Sequence, residues 1–285
     1  MTILILGGQG NLGTQLTKVF GADFPTVSWD RGDIDVLDFP LLAEQVKALK
    51  PALIINAIAY NAVDKCEDKE EYKNAYRLNS DLPAFLAELA LHIGATLIHY
   101  STDYVFNGTE HKREFAEDET PNPINKYGES KFAGEREILK LASEGLNYYL
   151  IRTSKLFGPR GDSPLAKPSF FDIMLSLAAE KKEVSVVNEE LSCFTYTPDL
   201  AAATKRLWEL EASYGIYHLI NEGPVTWLDG AKILFDLKKI AVPIKSLRSE
   251  NLLRAARRPK FSVLKNSKIK KLRPFQDALK EYLNP

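Results

Sequence analysis

Residues 3–13 read ILILGGQGNLG, four branched apolar residues followed by a turn with glycine at positions 7, 8, 10 and 13. The apolar run is typical of a buried strand, and the residues that follow have a helical pattern. In such a turn the backbone can approach a diphosphate, and the helix N-terminus supplies free N–H groups and partial positive charge. The spacing of Gly7, Gly10 and Gly13 therefore predicts a dinucleotide-binding turn, the alternative being a tight turn with no ligand.

The alternation of strand and helix continues through the first 150 residues. Further strands are predicted at 26–29, 52–56, 96–100 and 148–151, and helices at 11–21, 39–49, 80–93 and 126–143. Elements that alternate at this spacing form right-handed βαβ units, so the sequence predicts an α/β fold with a Rossmann-type, doubly wound parallel sheet. An acidic, polar stretch at 108–125 predicts a surface loop. A second irregular stretch, 158–168 (GPRGDSPLAKP), is expected to mark where the chain leaves the sheet.

The composition limits the classes of function. With 285 residues, 45% of them hydrophobic, the chain can bury a sizeable core. A net charge of −1, with Lys and Arg spread along the chain, argues against nucleic acid or an anionic membrane as the main partner. Two distant cysteines and four histidines form no metal-ligand pattern, so no metal site is predicted. Lone cysteines suit a reducing compartment, and we expect a cytoplasmic protein.

The end of the second predicted strand bears on the choice of cofactor. Asp30 lies 17 residues beyond Gly13 and could accept from the ribose diol of NAD(H). Arg31 follows directly and could pair with the 2′-phosphate of NADP(H). The two residues favour different cofactors, and the sequence leaves NADPH and NADH both open.

Tyr127 and Lys131 are four residues apart in the fourth predicted helix and therefore lie on one face of it. A tyrosine is a poor acid–base catalyst at neutral pH because its pKa is near 10. A neighbouring ammonium group stabilises the phenolate, and we expect Lys131 to bring the pKa of Tyr127 toward the working range.

Three hydroxyl residues and a carboxylate, Ser101-Thr102-Asp103-Tyr104, follow the predicted strand at 96–100. Ligands of a doubly wound sheet bind beyond the carboxyl ends of its strands, so these side chains are expected to face the same crevice as the glycine turn. A hydroxyl here can stabilise charge that develops on a carbonyl oxygen. Thr102 is thus predicted to be a second donor beside Tyr127.

With these motifs in place, the chain resembles the extended short-chain dehydrogenases/reductases, and within them the dTDP-4-dehydrorhamnose reductases. The resemblance extends over essentially the whole chain. It is carried by INAIAYNAVDKCE (55–67), STDYVFNG (101–108), KYGESKFAGE (126–135), RTS (152–154), PDLA (198–201), GIYHLINEGPVTWLDGAKI (215–233) and ARRPKFSVL (256–264). The STDYVF and ARRP-x-x-S-x-L segments are the most specific of these.

The resemblance implies reduction, by NADPH or NADH, of the C4 carbonyl of a nucleotide-linked 4-keto-6-deoxy sugar. The implied catalytic residues are Thr102, Tyr127 and Lys131, with Tyr127 donating the proton, Lys131 holding the nicotinamide ribose and Thr102 polarising the carbonyl. The implied cofactor residues are Gly7, Gly10, Asn11, Leu12, Gly13, Asp30, Arg31, Ala57, Ala59, Tyr127 and Lys131. The implied substrate residues are Asp103, Tyr104, Lys155 and Arg258, with Pro259 and Ser262 near the nucleotide diphosphate.

The sequence departs from the resemblance on the sugar side of the pocket. Lys155 stands where an aromatic residue is usual, Ser169 where Asn is usual, and Ser192–Phe194 in place of a G-x-P segment. The loop 158–168 is several residues longer than usual. These departures leave the dTDP-linked sugar as the first expectation and another nucleotide 4-keto sugar as an alternative.

The resemblance also implies the domain organisation and the partners. The dinucleotide-binding domain is expected at 1–154 plus 182–221, and a smaller, mainly C-terminal α/β substrate domain at 155–181 plus 222–285. The expected partner is a nucleotide sugar, and a homodimer is expected from the resemblance alone. A non-catalytic regulatory subunit, similar to the β subunit of methionine adenosyltransferase, is a further alternative, and the intact Thr102, Tyr127 and Lys131 argue against it.

Overall fold

The structure, a computed structural model, describes residues 1–108 and 113–284. Residues 109–112 of the loop predicted at 108–125 therefore lie outside the described residues. The strands are β1 (Ile3–Leu6), β2 (Thr26–Trp29), β3 (Leu53–Asn56), β4 (Thr96–Thr102), β5 (Tyr148–Thr153), β6 (Leu156–Phe157), β7 (Val184–Val187), β8 (Thr195–Tyr196), β9 (Gly215–His218) and β10 (Ile244–Leu247). The helices are α1 (Asn11–Gly21), α2 (Phe39–Leu49), α3 (Lys69–Tyr76), α4 (Leu82–Ile93), α5 (Lys126–Ala142), α6 (Phe170–Glu180), α7 (Thr197–Glu209), α8 (Trp227–Lys238) and α9 (Phe275–Leu283).

Six parallel strands form the main sheet, in the order β2-β1-β3-β4-β5-β9. One face packs on α1 and α7 through a cluster that includes Leu16 and Leu200, and the other face packs on α2, α4 and α5. Because both faces are covered, β1 and β3 are buried along their whole length, which explains their continuous apolar runs. The predicted doubly wound α/β fold is confirmed, and each of the five predicted strands overlaps an observed one.

A second apolar cluster lies outside the main sheet. Its centre is aromatic and includes Phe157, Phe171, Phe194 and Phe275. Strand β7 pairs in parallel with β10 in a separate two-stranded sheet, and β6 pairs with β8 in another. Residues 184–187 were expected within the dinucleotide-binding domain, and the structure places them in this second cluster. The domain boundaries themselves stay a prediction.

Helix α3 was not predicted. Its sequence, KEEYKNAY, has too few apolar residues to show a helical period. It forms because the Asp68 side chain accepts from the backbone N–H groups of Glu70 and Glu71, at 2.9 and 3.0 Å, and so caps its N-terminus. A wider helical turn at Arg77–Asp81 then joins α3 to α4 and presents Asn79 to α5.

Two further properties hold for residues 1–108 and 113–284. None of their helices combines the length and the apolar content needed to cross a membrane. Across the same ranges, no group of three or more His, Cys, Asp or Glu side chains is placed to hold a metal ion.

Candidate active site

The glycine turn between β1 and α1 has a backbone that excludes larger residues. Gly7 has a φ of 80°, a conformation that side chains other than glycine rarely adopt. A Cβ atom on Gly13 would lie 1.9 Å from the Gly7 carbonyl oxygen, and one on Gly8 would lie 1.7 Å from Ser28 Oγ. Gly10 is the N-cap of α1 and has no side chain to cap the first helical N–H groups. The turn therefore fits a diphosphate group held by backbone N–H groups.

The two residues at the end of β2 have different surroundings. The Asp30 carboxylate accepts from the backbone N–H groups of Gln9 and Arg31, at 3.0 and 2.8 Å. It thereby ties β2 to the glycine turn. The Arg31 side chain is exposed at the same edge of the sheet, where it can meet a phosphate.

The segment after β3 lines the other side of the turn. The Ala57 N–H donates to the Leu6 carbonyl at 3.0 Å, so Ala57 still follows β1. A Cβ atom on Gly7 would lie 2.9 Å from Ile58 Cγ1, which shows how closely this segment approaches the turn. Ala59 is exposed in the loop that follows. Leu12, in contrast, is buried in the core, so only its backbone can contribute to the turn.

Thr102 and Tyr127 are brought together by the packing of α5 on the end of β4. A Cβ atom on Gly128 would lie 2.2 Å from the Tyr104 carbonyl oxygen, so the glycine lets the helix approach this turn. The Tyr104 and Tyr127 rings meet edge to face, with centroids 5.9 Å apart. The Thr102 hydroxyl donates to Asp103 Oδ1 at 3.1 Å and accepts from the Tyr104 N–H at 3.2 Å.

The pKa of Tyr127 is raised by burial, and the nearby Thr102 hydroxyl acts in the lowering direction. The prediction that Lys131 lowers the pKa of Tyr127 is therefore wrong for this structure, because desolvation of the phenolate is the larger effect. Tyr127 is accordingly held in its protonated form. This is the form that donates a proton.

Lys131, like Tyr127, belongs to α5, and its side chain is buried. Its ammonium group donates to the Tyr100 carbonyl at 2.6 Å and lies 3.5 Å from His99 Nε2. Burial lowers the pKa of Lys131 to about 8, with Glu135 acting in the opposite direction. The cation therefore exists at neutral pH but titrates within an accessible range.

A buried ion pair behind Lys131 was missed in the sequence. The Arg152 guanidinium donates to both carboxylate oxygens of Glu135, at 3.0 and 2.7 Å, and both side chains are almost completely inaccessible to solvent. Arg152 belongs to the RTS segment, and Glu135 lies four residues after Lys131. Two features of the sequence could have predicted this ion pair. One is the i, i+4 spacing of Lys131 and Glu135 on a helix, and the other is an arginine in an otherwise apolar strand.

Two of the predicted substrate residues are engaged with other side chains. Asp103 is buried, its pKa is raised by burial, and its Oδ2 accepts from the Ser262 hydroxyl at 2.5 Å. The Arg258 guanidinium donates to both carboxylate oxygens of Asp64, each at 2.5 Å. These contacts hold the C-terminal ARRP-x-x-S segment against the loop after β3 and the end of β4. Tyr104 lies between them, with its pKa raised by burial.

Lys155 occupies an aromatic box. Its ammonium group lies 4.1 Å from the centre of the Trp227 ring and 5.1 Å from that of Phe194. It also donates to the carbonyls of Glu190 and Val225, at 3.0 and 3.4 Å. Burial lowers its pKa to about 8. The side chain is thus directed at rings and carbonyls of the second cluster, and the Ser192–Phe194 departure supplies one of those rings.

Ser169, another departure from the resemblance, has a local structural role. It is the N-cap of α6, where its N–H donates to Asp172 Oδ2 at 2.7 Å and its hydroxyl accepts from the Asp172 N–H at 3.3 Å. This reciprocal pair is a capping box, in which Ser serves well.

Comparisons with known proteins identify the family of the chain. The sequence model of the RmlD substrate binding domain matches residues 1–285. The chain is 32% identical to the dTDP-4-dehydrorhamnose reductase of Escherichia coli K12, over 100% of this chain and 97% of that protein. It is also 32% identical to the spore coat polysaccharide biosynthesis protein SpsK of Bacillus subtilis 168, over 99% and 96%. The crystal structure of dTDP-4-dehydrorhamnose reductase from Bacillus anthracis Ames in complex with NADP superposes with a TM-score of 0.91, at 30% identity, over 99% of this chain and 98% of that one.

Proposed function

The chain belongs to the family of the RmlD substrate binding domain, and we propose that it reduces the C4 keto group of a nucleotide-linked 4-keto-6-deoxy sugar, namely dTDP-4-dehydro-L-rhamnose. It is an NAD(P)H-dependent oxidoreductase. The observation that carries the proposal is the position of three side chains beside a glycine turn that fits a diphosphate. Thr102 lies at the carboxyl end of β4, and Tyr127 and Lys131 lie in the first two turns of α5.

Each of the three side chains has a distinct task in this reaction. The reduced nicotinamide supplies a hydride when it is bound. The Tyr127 hydroxyl donates its proton to the carbonyl oxygen, and burial keeps that proton in place until the oxygen becomes basic. The Thr102 hydroxyl, which donates to Asp103 Oδ1 in the structure, turns to the carbonyl oxygen as the second donor.

Lys131 acts through its charge and its position. Its ammonium group is fixed by the Tyr100 carbonyl, one strand position before the Ser101-Thr102 pair. From there it can hold the nicotinamide ribose with its remaining N–H donors.

The cofactor is proposed to lie over the glycine turn, with its diphosphate on the backbone N–H groups of Asn11 and Leu12. Asp30 already accepts from two backbone N–H groups, whereas Arg31 is exposed beside it. This difference supports NADPH over NADH, because a 2′-phosphate needs a cation at that edge. The NADP complex of the Bacillus anthracis protein supports the same choice.

The second candidate is a reductase of a different nucleotide 4-keto sugar. The specific observation in its favour is the buried Lys155 cation between Trp227 and Phe194, on the side where a sugar would lie. The similarity to SpsK, a spore coat polysaccharide biosynthesis protein, is compatible with either sugar. A purely regulatory subunit would need none of Thr102, Tyr127 and Lys131, and we do not favour it.

The proposal is tested by NADPH oxidation with enzymatically prepared dTDP-4-dehydro-L-rhamnose, set beside a panel of other nucleotide 4-keto sugars. Turnover highest with the rhamnose precursor supports the full proposal. Turnover that is higher with another 4-keto sugar transfers the same chemistry to that substrate. Absence of turnover with every member, while NADPH still binds, would contradict the reductase and favour the regulatory subunit.

A further inference from the structure

We propose that residues 158–168, here named the strap, hold the cofactor against the glycine turn. Asn11 and Lys167 are the residues that position the strap. The inference rests on the proposed function only for the identity of the ligand, a reduced nicotinamide dinucleotide. It concerns how that ligand is retained and does not depend on which sugar is reduced.

The strap is hydrogen-bonded directly to the glycine turn. The Ser163 N–H donates to the Gln9 carbonyl at 2.9 Å. The Gly161 N–H donates to Asn11 Oδ1 at 2.9 Å, and Asn11 Nδ2 donates to the Lys167 carbonyl at 2.9 Å. The Asn11 side chain thus uses both its acceptor and its donor to hold the two ends of the strap, although it was predicted as a cofactor ligand.

The strap also crosses the crevice of the main sheet. The Lys167 ammonium group donates to Asn61 Oδ1 at 3.2 Å, and Asn61 lies in the loop after β3. In the strand order, β2 lies on one side of β1 and β3 on the other, so the direction in which strands are added to the sheet reverses here. A crevice opens between the carboxyl ends of β1 and β3. The strap therefore bridges the glycine turn on one side of this crevice and the β3 loop on the other.

The strap approaches the turn without occupying its N–H groups. A Cβ atom on Gly161 would lie 2.4 Å from the Gln9 carbonyl oxygen and 2.7 Å from the Asn11 nitrogen, so only glycine permits this contact. Within the described part of the chain, no strap carbonyl accepts from the backbone N–H of Asn11 or Leu12. The strap thus packs against the Gly10–Asn11 peptide without accepting a hydrogen bond from these N–H groups, and it forms a wall beside them.

Lys167 brings positive charge to this wall. Its side chain is exposed at the crevice, and the first turn of α1 contains no acidic residue. A dinucleotide diphosphate carries negative charge, and a nearby ammonium group adds to the attraction of the helix N-terminus. Lys167 therefore contributes to affinity, whereas the Asn11 contacts govern how often the strap detaches.

Detachment of the strap is then a step in cofactor release. Loss of the two Asn11 side-chain hydrogen bonds lowers the cost of that step by an amount that corresponds to about tenfold in rate. We expect Asn11→Ala to release NADPH about tenfold faster than the wild type. Gly161→Ala, which pushes the strap off the turn and keeps Asn11, should have the same effect.

The experiment is stopped-flow displacement of bound NADPH and of bound NADH, followed by their fluorescence in the full-length protein. Lys167→Gln should weaken equilibrium binding of both cofactors and reduce its dependence on ionic strength. Lys182→Gln, at an exposed residue two positions after the end of α6, is the matched control and should bind like the wild type. Trypsin cleavage after Arg160, within the strap, should be slowed by NADPH in the wild type and much less so in Asn11→Ala.

Each outcome decides between the possible roles of the strap. Wild-type release rates in both Asn11→Ala and Gly161→Ala, in proteins that melt normally, would overturn the proposal. Slower release or tighter binding in these variants would also overturn it, because the strap would then compete with the cofactor. A wild-type protein that binds the cofactor but reduces no sugar would contradict the proposed function and leave the strap intact.

Discussion

Arg258 and Asp64 form a paired hydrogen bond across 194 residues of sequence, with both guanidinium–carboxylate contacts at 2.5 Å. The pairing holds the pKa of the Asp64 carboxyl below its usual range, and the Arg258 hydrogen bond is the main cause. Arg258 also donates to the Ala256 carbonyl at 2.7 Å. The arginine is therefore held in one orientation, and these three bonds leave its Nε–H and one Nη2–H unused. We propose that these in-plane donors meet the diphosphate of the substrate.

Replacement of Arg258 is expected to weaken substrate binding specifically. In Arg258→Lys the charge is kept but the two-point geometry is lost, so KM for the nucleotide sugar should rise by about tenfold. Cofactor affinity should not change. Steady-state kinetics and cofactor titration measure the two effects, with Arg248→Lys on an exposed residue as the control. An unchanged KM would remove Arg258 from the substrate site.

Tyr127→Phe keeps the aromatic ring and removes the proton donor. We expect turnover to fall by about 10² or more, with NADPH affinity nearly unchanged. Tyr148→Phe is the matched control, because Tyr148 is a partly buried tyrosine at the start of β5, away from the carboxyl ends of the strands. Turnover retained in Tyr127→Phe would assign the proton to another group.

The cation on Lys131 should give cofactor binding an alkaline limit. Burial lowers the pKa of Lys131 to about 8, so the ammonium group is lost as the pH rises through that value and affinity should fall. The pKa of Tyr127 is raised, so the Tyr127 hydroxyl does not titrate in this range. Above pH 8 the folded chain has released this proton, whereas the unfolded chain still binds it. The contribution of Lys131 to the free energy of unfolding therefore rises as the pH increases from about 8 to the higher pKa of an unfolded lysine.

A titration of NADPH binding against pH measures the limit, and Lys155 supplies the control. Lys155 also has a pKa of about 8 but lies in the aromatic box. Lys155→Met should therefore keep the alkaline limb. A flat profile in the wild type, or a limb that disappears in Lys155→Met, would show that Lys131 does not set it.

Arg31 should distinguish the two cofactors. Arg31→Gln removes the exposed cation at the end of β2, and NADPH should bind about three- to tenfold more weakly while NADH is unaffected. Titration of both cofactors into the variant and into Arg206→Gln, an exposed residue on α7, measures this. Equal weakening of NADPH and NADH would exclude contact with the 2′-phosphate.

Lys155→Trp tests the aromatic box as a determinant of the sugar. It restores the residue type that the resemblance expects, and if Lys155 redirects specificity, use of dTDP-4-dehydrorhamnose should improve. The value of kcat/KM with this sugar and with the best alternative sugar is the measurement, and NADPH affinity is the internal control. No change, or a loss with both sugars, counts against a role for Lys155 in specificity.

The main sheet could be predicted from the sequence because its strands are buried on both faces and its helices have a clear period. The partner of β7 could not, since VSVV is equally suited to the edge of the main sheet and to pairing with β10. Helix α3 was missed because its stability comes from an Asp68 cap and tertiary contacts rather than from apolar residues.

The candidate site could be predicted in part. The spacing of Tyr127 and Lys131 indicated a shared helix face, but the direction of the pKa shift at Tyr127 depends on how deeply the ring is buried. The contacts between the strap and Asn11 join residues about 150 positions apart, and no local pattern encodes them. The same holds for Arg258 and Asp64. Roles of the individual site residues remain predictions for the variants above.

The most direct test of the account is the fate of the hydride. Purified protein is incubated with dTDP-4-dehydro-L-rhamnose and NADPH that carries deuterium on the transferred position, and the sugar product is analysed by NMR and mass spectrometry. We expect one deuterium on C4 of the product, and about 10² less labelled product when Tyr127→Phe replaces the wild type over the same time. A product without deuterium on C4, or deuterium on another carbon, would contradict it.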